Sequence, residues 1–258
     1  MDLIGIVTRT LLGISQPAPA SAQAPSLQIV SAPLVAAPTA AAAVTANGAV
    51  DQIQSFYSKI DQVTAKFRQS VTYDMNQLTK TNDGKVWIQK PGKMRWDYLE
   101  TKKGTTVVKK SFISNGSNLY VVEHDNKQVM KKTLEKDLMP VAISFLYGKG
   151  DLKNEFNAEL DTSGTYGTKA DVVVKLTPKQ PSAQYKALYL VASSKDFHVS
   201  QSIIVDSSNN VNHFRFFEPD FKTVIDPKKT FEFDESAVKK KNYRIIDADQ
   251  QTEKASSP

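Results

Sequence analysis

The stretch Val86-Trp-Ile-Gln-Lys-Pro-Gly-Lys-Met-Arg-Trp-Asp-Tyr98 contains two apolar segments separated by a tight turn. Pro91-Gly92 is typical of a turn, since proline presets φ and glycine accepts a positive φ. A link this short joins antiparallel neighbours, because a parallel crossover needs about a dozen residues or more. On the second segment, strand alternation places Met94, Trp96 and Tyr98 on one face. The stretch therefore predicts a β-hairpin with a strongly apolar face.

The strand pattern of this hairpin continues along most of the chain. Short runs rich in β-branched and aromatic residues are separated by turn residues such as Asn82-Asp83-Gly84, Lys103-Gly104 and Asn115-Gly116. Links of this length favour antiparallel neighbours throughout. The predicted strands cover residues 67–75, 84–90, 93–99, 105–114, 117–122, 127–133, 156–160, 170–177, 185–192, 198–205, 211–218, 230–233 and 243–246.

Two segments carry helical rather than strand patterning. Across residues 50–67 the apolar positions recur every three or four residues, which is the spacing of one helix face. Residues 138–147 (LMPVAISFLY) are apolar nearly all round, with Pro140 near the start and Gly148 just after the end. We therefore expect one helix before the first strand and another in the middle of the chain.

Several predicted strands are apolar on both faces, including residues 86–88, 187–191 and 216–217. An antiparallel sheet with one face in water would alternate apolar and polar residues instead. The sheet must therefore be covered on both sides or curled around apolar material. A curled sheet with helices against its concave face satisfies this pattern, and so does a β-barrel with a filled core.

The first fifty residues differ in composition from the rest, because Asp2 and Arg9 are their only charged residues. An apolar stretch followed by Ala20-Ser21-Ala22 is typical of a signal peptide and its cleavage site, and residues 40–43 offer a second site. The alternative is an unstructured Ala/Pro tail on a cytoplasmic protein. The predicted organisation is a signal peptide over residues 1–22, an Ala/Pro-rich flexible linker over 23–49, a β domain over 50–247 and a polar disordered tail over 248–258.

The composition and motifs argue against several functions. The chain has no cysteine, which excludes disulfides, thiolate metal sites and a thiol nucleophile. Its net charge of +6 is too small to predict a nucleic-acid-binding surface. His124, His198 and His213 lie on different predicted strands without the spacing of metal ligands. Because Gly-x-Ser-x-Gly, P-loop and dinucleotide fingerprints are also absent, the sequence predicts no catalytic, cofactor or metal site.

The opening hairpin and the motifs around it resemble the periplasmic outer-membrane lipoprotein carrier family of the LolA type. In that family an apolar strand ends in a basic residue and proline, turns, and returns as aromatic-Arg-Trp-x-Tyr. Here Lys90 and Met94 stand where the family usually has arginine and an aromatic residue. The other motifs, in order, are Phe67-Arg68-Gln69, Phe112-Ile-Ser-Asn-Gly116, Leu119-Tyr120, the apolar segment with Pro140, Leu176-Thr177-Pro178, and Asp206 followed by Phe214. The resemblance covers roughly residues 50–246.

The resemblance implies a mainly β fold, an incomplete, half-open antiparallel β-barrel of about eleven strands with helices covering its concave hydrophobic face. It implies a soluble monomer of the periplasm, without catalysis, cofactor or nucleic acid. Such a protein carries lipoproteins by their acyl chains from an inner-membrane ATP-driven lipoprotein-releasing complex to an outer-membrane acceptor. The alternatives are a lipid-binding or envelope-stress sensor domain of the same fold that regulates a membrane partner, and an enzyme acting on envelope polymers.

The resemblance also implies roles for particular residues. Lys90 is predicted to be a lid latch, because a cation there can donate to unpaired carbonyls at a helix end. Lys93 and Arg95 are predicted to face outward and dock a partner, or otherwise to form a solvated basic face. An ordinary apolar core is the competing interpretation of the cavity. The residues predicted to line the lipid-binding cavity are Ile88, Met94, Trp96, Tyr98, Phe112, Leu119, Val141, Phe145, Leu190 and Phe216.

Overall fold

The structure is a computed structural model that describes residues 44–134, 151–182 and 185–250. Helix α1 (Ala46–Ser58) is followed by β1 (Gln62–Tyr73), β2 (Leu78–Gln89), β3 (Lys93–Lys102), β4 (Thr105–Asn115), β5 (Asn118–Glu123) and β6 (Gln128–Thr133). Helix α2 (Leu152–Glu155) precedes β7 (Phe156–Leu160), β8 (Asp171–Pro178), β9 (Ala187–Ser193), β10 (Val199–Val205) and β11 (Val211–Asp220). The last elements are α3 (Pro227–Phe231), α4 (Glu235–Lys240) and β12 (Arg244–Asp247).

The twelve strands form one sheet in the order β12-β6-β5-β4-β3-β2-β1-β11-β10-β9-β8-β7. Neighbouring strands are antiparallel, except that β12 lies parallel to β6. Strands β12 and β7 are the two edges, so the sheet is open rather than closed into a barrel. The predicted mainly β, half-open architecture is confirmed, with twelve strands in place of about eleven.

Helix α1 extends beyond the prediction at its N-terminal end and is shorter than predicted at its C-terminal end. Its N-cap is Thr45, whose side-chain oxygen accepts a hydrogen bond from the Gly48 N–H, so the helix begins inside the predicted linker. It ends at Ser58, and β1 takes over at Gln62, so the predicted helix over 50–67 is wrong in its last part. Val63 and Phe67 are four residues apart, a spacing that fits a helix face and a strand face equally well.

The strand predictions differ from the structure at residues 78–83 and 230–233. At both places, something other than apolar alternation determines the secondary structure. Residues 78–83 of β2 are polar after Leu78, and pairing with β1 rather than apolar patterning makes them a strand. The predicted strand over 230–233 is wrong, because residues up to Phe231 belong to α3. The side chain of Asp226 caps that helix by accepting from the N–H groups of Lys228 and Lys229. Each of the other twelve predicted strands overlaps an observed one.

Two further expectations concern segments outside the sheet. The predicted helix over 138–147 lies outside the described residues. The predicted disordered tail from residue 248 is wrong at its start, because residues 248–250 are helical and Asp249 accepts a hydrogen bond from the Thr133 N–H at 2.8 Å. No helix within residues 44–134, 151–182 and 185–250 is long and apolar enough to cross a membrane.

Each face of the sheet is covered in part, which fits the two-sided apolar strands. Helix α1 packs on what we call the inner face, and its buried residues Val50 and Ile53 belong to the main core. On the opposite, outer face, the C-terminal segment from α3 to β12 covers strands β4 to β6. There Phe233 and Tyr243 are among the residues packed against Ile113, Tyr120, Val122 and Val129. The sequence predicted helical cover for one face only, and the second cover is the C-terminal segment.

Candidate functional site

The inner face carries six aromatic rings in mutual contact, which we call the aromatic floor. Phe67 is central, with its ring centroid 5.0 Å from those of Trp96 and Tyr98. The chain of contacts continues from Tyr98 to Phe112 at 5.8 Å and from Trp96 to Phe214 at 5.6 Å. The contacts of Phe67 with Trp96 and Tyr98 and of Trp96 with Phe214 are edge-to-face, a favoured aromatic geometry, and the contact of Tyr98 with Phe112 is tilted. The residues of the aromatic floor are Phe67, Trp96, Tyr98, Phe112, Phe214 and Phe216.

Strand register brings these rings together from four different strands. Phe67 of β1 pairs with Phe216 of β11 on one side and with Gly84 of β2 on the other. Trp96 of β3 pairs with Phe112 of β4. Side chains of directly opposed residues lie on the same face of a sheet, so all these rings project towards the inner face.

Gly84 makes room for the central ring of the floor. A Cβ atom at this position would lie 2.3 Å from Cζ of Phe67 and 2.4 Å from the main-chain oxygen of Asp97. Those separations are far shorter than van der Waals contact, so the position requires glycine. The Phe67 ring therefore lies directly over the β2 main chain.

Burial of the inner face changes across the sheet. Phe67 and Trp96 are buried, whereas Tyr98, Phe112 and Phe216 are only half-buried. Val121, which pairs with Phe112, and Met130, which pairs with Val121, extend the half-buried apolar strip to β6. Burial raises the pKa of the Tyr98 hydroxyl, which stays neutral. A partly exposed apolar strip next to a closed core can accept hydrocarbon without opening the whole fold.

Eight of the ten predicted cavity residues belong to the hydrophobic cluster on the inner face of the sheet, which also contains Phe67 and the buried residues of α1. Five of them are buried members of the core, and Tyr98, Phe112 and Phe216 are half-buried against it. Val141 and Phe145 lie outside the described residues. Lipid binding by these residues stays a prediction. The five buried members are Ile88, Met94, Trp96, Leu119 and Leu190.

Two residues of the aromatic floor, and the glycine that makes room for it, are missing from the predicted site. The sequence places Phe67 at the end of the helical pattern and at the start of the predicted strand over 67–75, and its alternation with Val63 and Ala65 is the pattern of a strand. For Phe214 the sequence predicts a strand that is apolar on both faces and a motif residue of the resemblance, but no cavity role. The sequence places Gly84 in a turn and at the very start of the predicted strand over 84–90, whereas it lies well inside β2. A glycine opposite a phenylalanine in a predicted hairpin was the available signal.

Lys90 lies just after β2, next to the C-terminal end of α1. Its ammonium group donates a hydrogen bond to the Tyr57 carbonyl oxygen, and its main-chain N–H donates to the Asp61 carbonyl at 2.8 Å. Burial lowers the pKa of Lys90, and the charge of Asp61 acts in the opposite direction. The structure thus places this cation at a helix end, as the latch hypothesis requires, while the latch role itself stays a prediction.

Arg95 and Lys93 project towards the outer face, away from Trp96. The Arg95 guanidinium contacts the Asp97 carboxylate, with Nε 2.9 Å from Oδ2, and donates to the Thr230 carbonyl of α3 at 3.4 Å. Arg95 is therefore held in contacts within the chain and covered by the C-terminal segment. Lys93 is half-buried. Docking is retained as a prediction for Lys93, whereas for Arg95 the observed contacts favour a structural role.

A polar chain runs beneath the C-terminal segment on the outer face. Ser111 Oγ donates to Asp97 Oδ1 at 2.7 Å and lies 3.5 Å from His124 Nε2, and His124 Nδ1 lies 2.9 Å from the Tyr243 hydroxyl. Serine, histidine and aspartate also form hydrolase triads, but there the carboxylate orients the histidine. Here the carboxylate binds the serine, and both of those residues are buried. The arrangement anchors the C-terminal segment.

The part of the chain that the structure describes contains no group of three His, Cys, Asp or Glu residues placed to hold a metal ion. The inner face instead carries apolar side chains, some buried and some half-buried, and Lys90 lies beside it at the end of α1. An open antiparallel sheet with such a face has the architecture suited to a binder of apolar groups.

Sequence comparison identifies the family. A profile described as "Outer membrane lipoprotein carrier protein LolA" matches residues 58–234, more than half of the chain, and the chain belongs to this family. The resemblance inferred from the order of motifs is confirmed. This is a family of carriers rather than of enzymes.

The relatives named outer-membrane lipoprotein carrier protein are distant in sequence. The protein of Bordetella avium is 27% identical over 116 residues, which are 45% of this chain and 53% of the relative. The protein of Dechloromonas aromatica is 23% identical over 186 residues, which are 72% of this chain and 83% of the relative. The first two matches span only 53% and 63% of the curated relatives' own length.

Solved structures with a similar fold include two of bacterial origin. A LolA superfamily protein from Nitrosomonas europaea is 12% identical, with a TM-score of 0.40 over 74% of this chain and 99% of that one. An uncharacterized conserved protein from Thermus thermophilus is 8% identical, with a TM-score of 0.48 over 78% and 98% of the two chains. Family membership therefore rests on the sequence profile.

Proposed function

We propose that this protein is a periplasmic chaperone that binds the acyl chains of lipoproteins on its inner face. It takes them from an inner-membrane ATP-driven releasing complex and delivers them to an outer-membrane acceptor, as a monomer and without catalysis or a cofactor. Membership of a carrier family supports this role. The observation that carries the proposal is the half-buried part of the aromatic floor at Tyr98, Phe112 and Phe216.

The physical task of such a carrier is to shield hydrocarbon from water reversibly. Exposing an acyl chain to water costs about 0.8 kcal/mol per methylene group, so the carrier must offer a large apolar surface. A fully packed core would offer none without unfolding. Half-buried aromatic side chains can cover an acyl chain and then pack against one another when it leaves. This packing lowers the free-energy cost of release.

Export to the periplasm is part of the proposal. It is supported by the small-residue site Ala20-Ser21-Ala22, which follows an apolar stretch of the length found in signal peptides. N-terminal sequencing of the protein from its native envelope should begin at Gln23, or near Val44 if the later alanine run is cleaved. A mature chain that begins at Met1 in the cytosol would refute both export and the carrier role.

Two adjacent phenylalanines allow a matched test of acyl-chain binding. Phe216 lies on the inner face, and Phe217 points to the outer face with 44% of its surface exposed. Phe216→Glu should strongly weaken uptake of a hydrophobic dye and its displacement by a triacylated dipeptide, because the carboxylate would face apolar surface without a partner. Phe217→Glu should bind like the wild type. Equal binding by both variants, or no saturable uptake by the wild type, would refute the proposal.

A further inference from the structure

The sheet forks between β2 and β3. These strands pair from Gln89 opposite Lys93 as far as Asp83 opposite Leu99, and no further. Beyond that point β2 stays paired with β1, and β3 stays paired with β4. Residues 78–82 of β2 and 100–102 of β3 therefore face each other across a gap, without a partner strand on that side among the residues that the structure describes. We call this gap the fork.

The main chain of β2 directs hydrogen-bonding groups into the fork. The hydroxyl groups of Thr79 and Thr72 lie 2.9 Å apart, and those of Thr81 and Ser70 lie 3.5 Å apart. Such close approach of side chains is typical of the non-hydrogen-bonded pairs of an antiparallel ladder. The N–H and C=O groups of Thr79 and Thr81 therefore point away from β1 and towards the fork. They form an unpaired strand edge, which is a template for another extended chain.

The root of the fork adjoins the aromatic floor. The last pair but one before the strands separate is Gly84 opposite Tyr98, and Gly84 also pairs with Phe67. A ligand that lies on the floor beside Tyr98 thus has the open strand edge within a few residues of it. In a lipoprotein the acyl groups are attached to a terminal residue of the polypeptide. A cargo with its acyl groups on the aromatic floor therefore has its first peptide residues next to the open edge of β2.

We infer that the fork binds the N-terminal peptide of the acylated cargo as an added β-strand along the edge of β2. This inference rests on the proposed function. Main-chain pairing gives affinity without reading side chains. One carrier can then hold the peptides of lipoproteins that share their acyl groups but differ in sequence. Residues 78–82 offer room for a strand of about five residues at about 3.4 Å per residue.

A second copy of this chain is the competing occupant of an open edge. Lys80 on β2 stands at the fork, and a lysine on an edge strand opposes pairing between identical edges. Lys102 on β3 is paired with Glu100 and Asp125, so its charge is compensated within the chain and adds nothing to this repulsion. A cargo peptide without a lysine at the position that faces Lys80 is not repelled in this way.

The test compares three synthetic ligands on the full chain. These are a triacylated dipeptide, the same acyl group on a ten-residue peptide, and that decapeptide with alternate amide nitrogens methylated. The decapeptide should bind about tenfold more tightly than the dipeptide, the gain expected of one or two added hydrogen bonds. The methylated peptide should lose this gain because it cannot donate. Failure of the dipeptide to bind would refute the proposed function, whereas equal binding of all three would refute only the strand-addition inference.

Variants at one position separate the main chain from the side chain. Thr81→Pro removes the N–H that faces the fork, at a place where an edge strand tolerates proline, whereas Thr81→Ala keeps it. Thr81→Pro should bind the dipeptide like the wild type and lose the tenfold gain for the decapeptide, and Thr81→Ala should keep that gain. Amide hydrogen exchange at residues 79–82 should slow only when the decapeptide is bound. Equal gains in both variants, or dimerisation of the unloaded chain that Thr81→Pro abolishes, would overturn the inference.

Discussion

The ammonium group of Lys90 donates a hydrogen bond to the main-chain carbonyl oxygen of Tyr57 in the last turn of α1. Carbonyl groups at a helix C-terminus carry partial negative charge and favour a cation there. The same tyrosine is held from the other side, because its hydroxyl accepts from the Val199 N–H at 3.0 Å. The end of α1 is thus attached by Lys90 to the turn that follows β2, and by the Tyr57 hydroxyl group to β10.

Lys90 is predicted to act as a latch that holds α1 against the sheet when the inner face is empty. Lys90→Leu should bind a triacylated peptide at least as tightly as the wild type but transfer it poorly to the acceptor. Lys90→Arg should load slightly less tightly, by about 1 kcal/mol, because a guanidinium makes more fixed hydrogen bonds than an ammonium. Affinity by dye displacement and transfer to the acceptor are measured separately. Identical loading and transfer in all three proteins would make Lys90 a surface charge.

Gly84→Ala should destabilise the fold and disturb the aromatic floor. The added methyl group would overlap both the Phe67 ring and the Asp97 main-chain oxygen, so β2 and β3 must shift as well as the ring. We expect the free energy of unfolding in urea to fall by about 1–3 kcal/mol, as for other overpacked cores. Adding Phe67→Leu should recover only part of the loss, since the contact with the main chain remains. Full stability of Gly84→Ala alone would contradict the close packing of this ring.

The opening hairpin shows what the sequence could predict. Alternation and the Pro91-Gly92 turn placed Met94, Trp96 and Tyr98 on one face, and the structure has all three in the inner-face cluster. Periodicity failed at Val63 and Phe67, because a separation of four residues suits both a helix and a strand. It failed again over residues 78–83, where a long-range partner rather than an apolar pattern makes the strand.

Local sequence patterns could not predict the C-terminal segment that covers the outer face, for a different reason. Residues 230–233 resemble a strand in composition, and only the capping residue Asp226 followed by Pro227 signals a helix. The internal contacts of Arg95 depend on Asp97 two residues on and on Thr230, which is distant in sequence. A pattern along one strand can assign Arg95 to the outer face, but not show that this face is covered.

Asp97→Ala should loosen the C-terminal segment. The Asp97 carboxylate accepts from Arg95 and from Ser111, so its removal leaves a half-buried guanidinium and a buried hydroxyl without that partner. The free energy of unfolding should fall by about 2–3 kcal/mol. Ser111→Ala is the milder comparison, with an expected loss of about 1 kcal/mol for one neutral donor. Urea denaturation measures both, and a smaller loss for Asp97→Ala than for Ser111→Ala would show that the carboxylate does not organise this network.

His213 should make the protein less stable as the pH falls below neutrality. Burial lowers its pKa from 6.5 to about 4, with a smaller contribution from the nearby charge of Arg215. Its Nε2–H donates to Oε1 of Gln201 at 2.7 Å, and its ring lies edge-to-face against Tyr166. Because the unfolded chain takes up this proton at a higher pH than the folded chain does, the free energy of unfolding falls as the pH drops from about 6.5 to about 4.

The expected loss from His213 is on the order of 1–2 kcal/mol over that interval, which allows for partial screening by solvent. His213→Gln keeps a donor for Gln201 but cannot be protonated, so its stability should depend less on pH in this window. Urea denaturation at pH 7.0, 6.0, 5.0 and 4.5, chosen to span the titration, compares the slopes of the two proteins. The other histidines are present in both proteins, so the difference in slope isolates His213. Parallel slopes would mean that the imidazole at this position binds its proton equally well before and after unfolding.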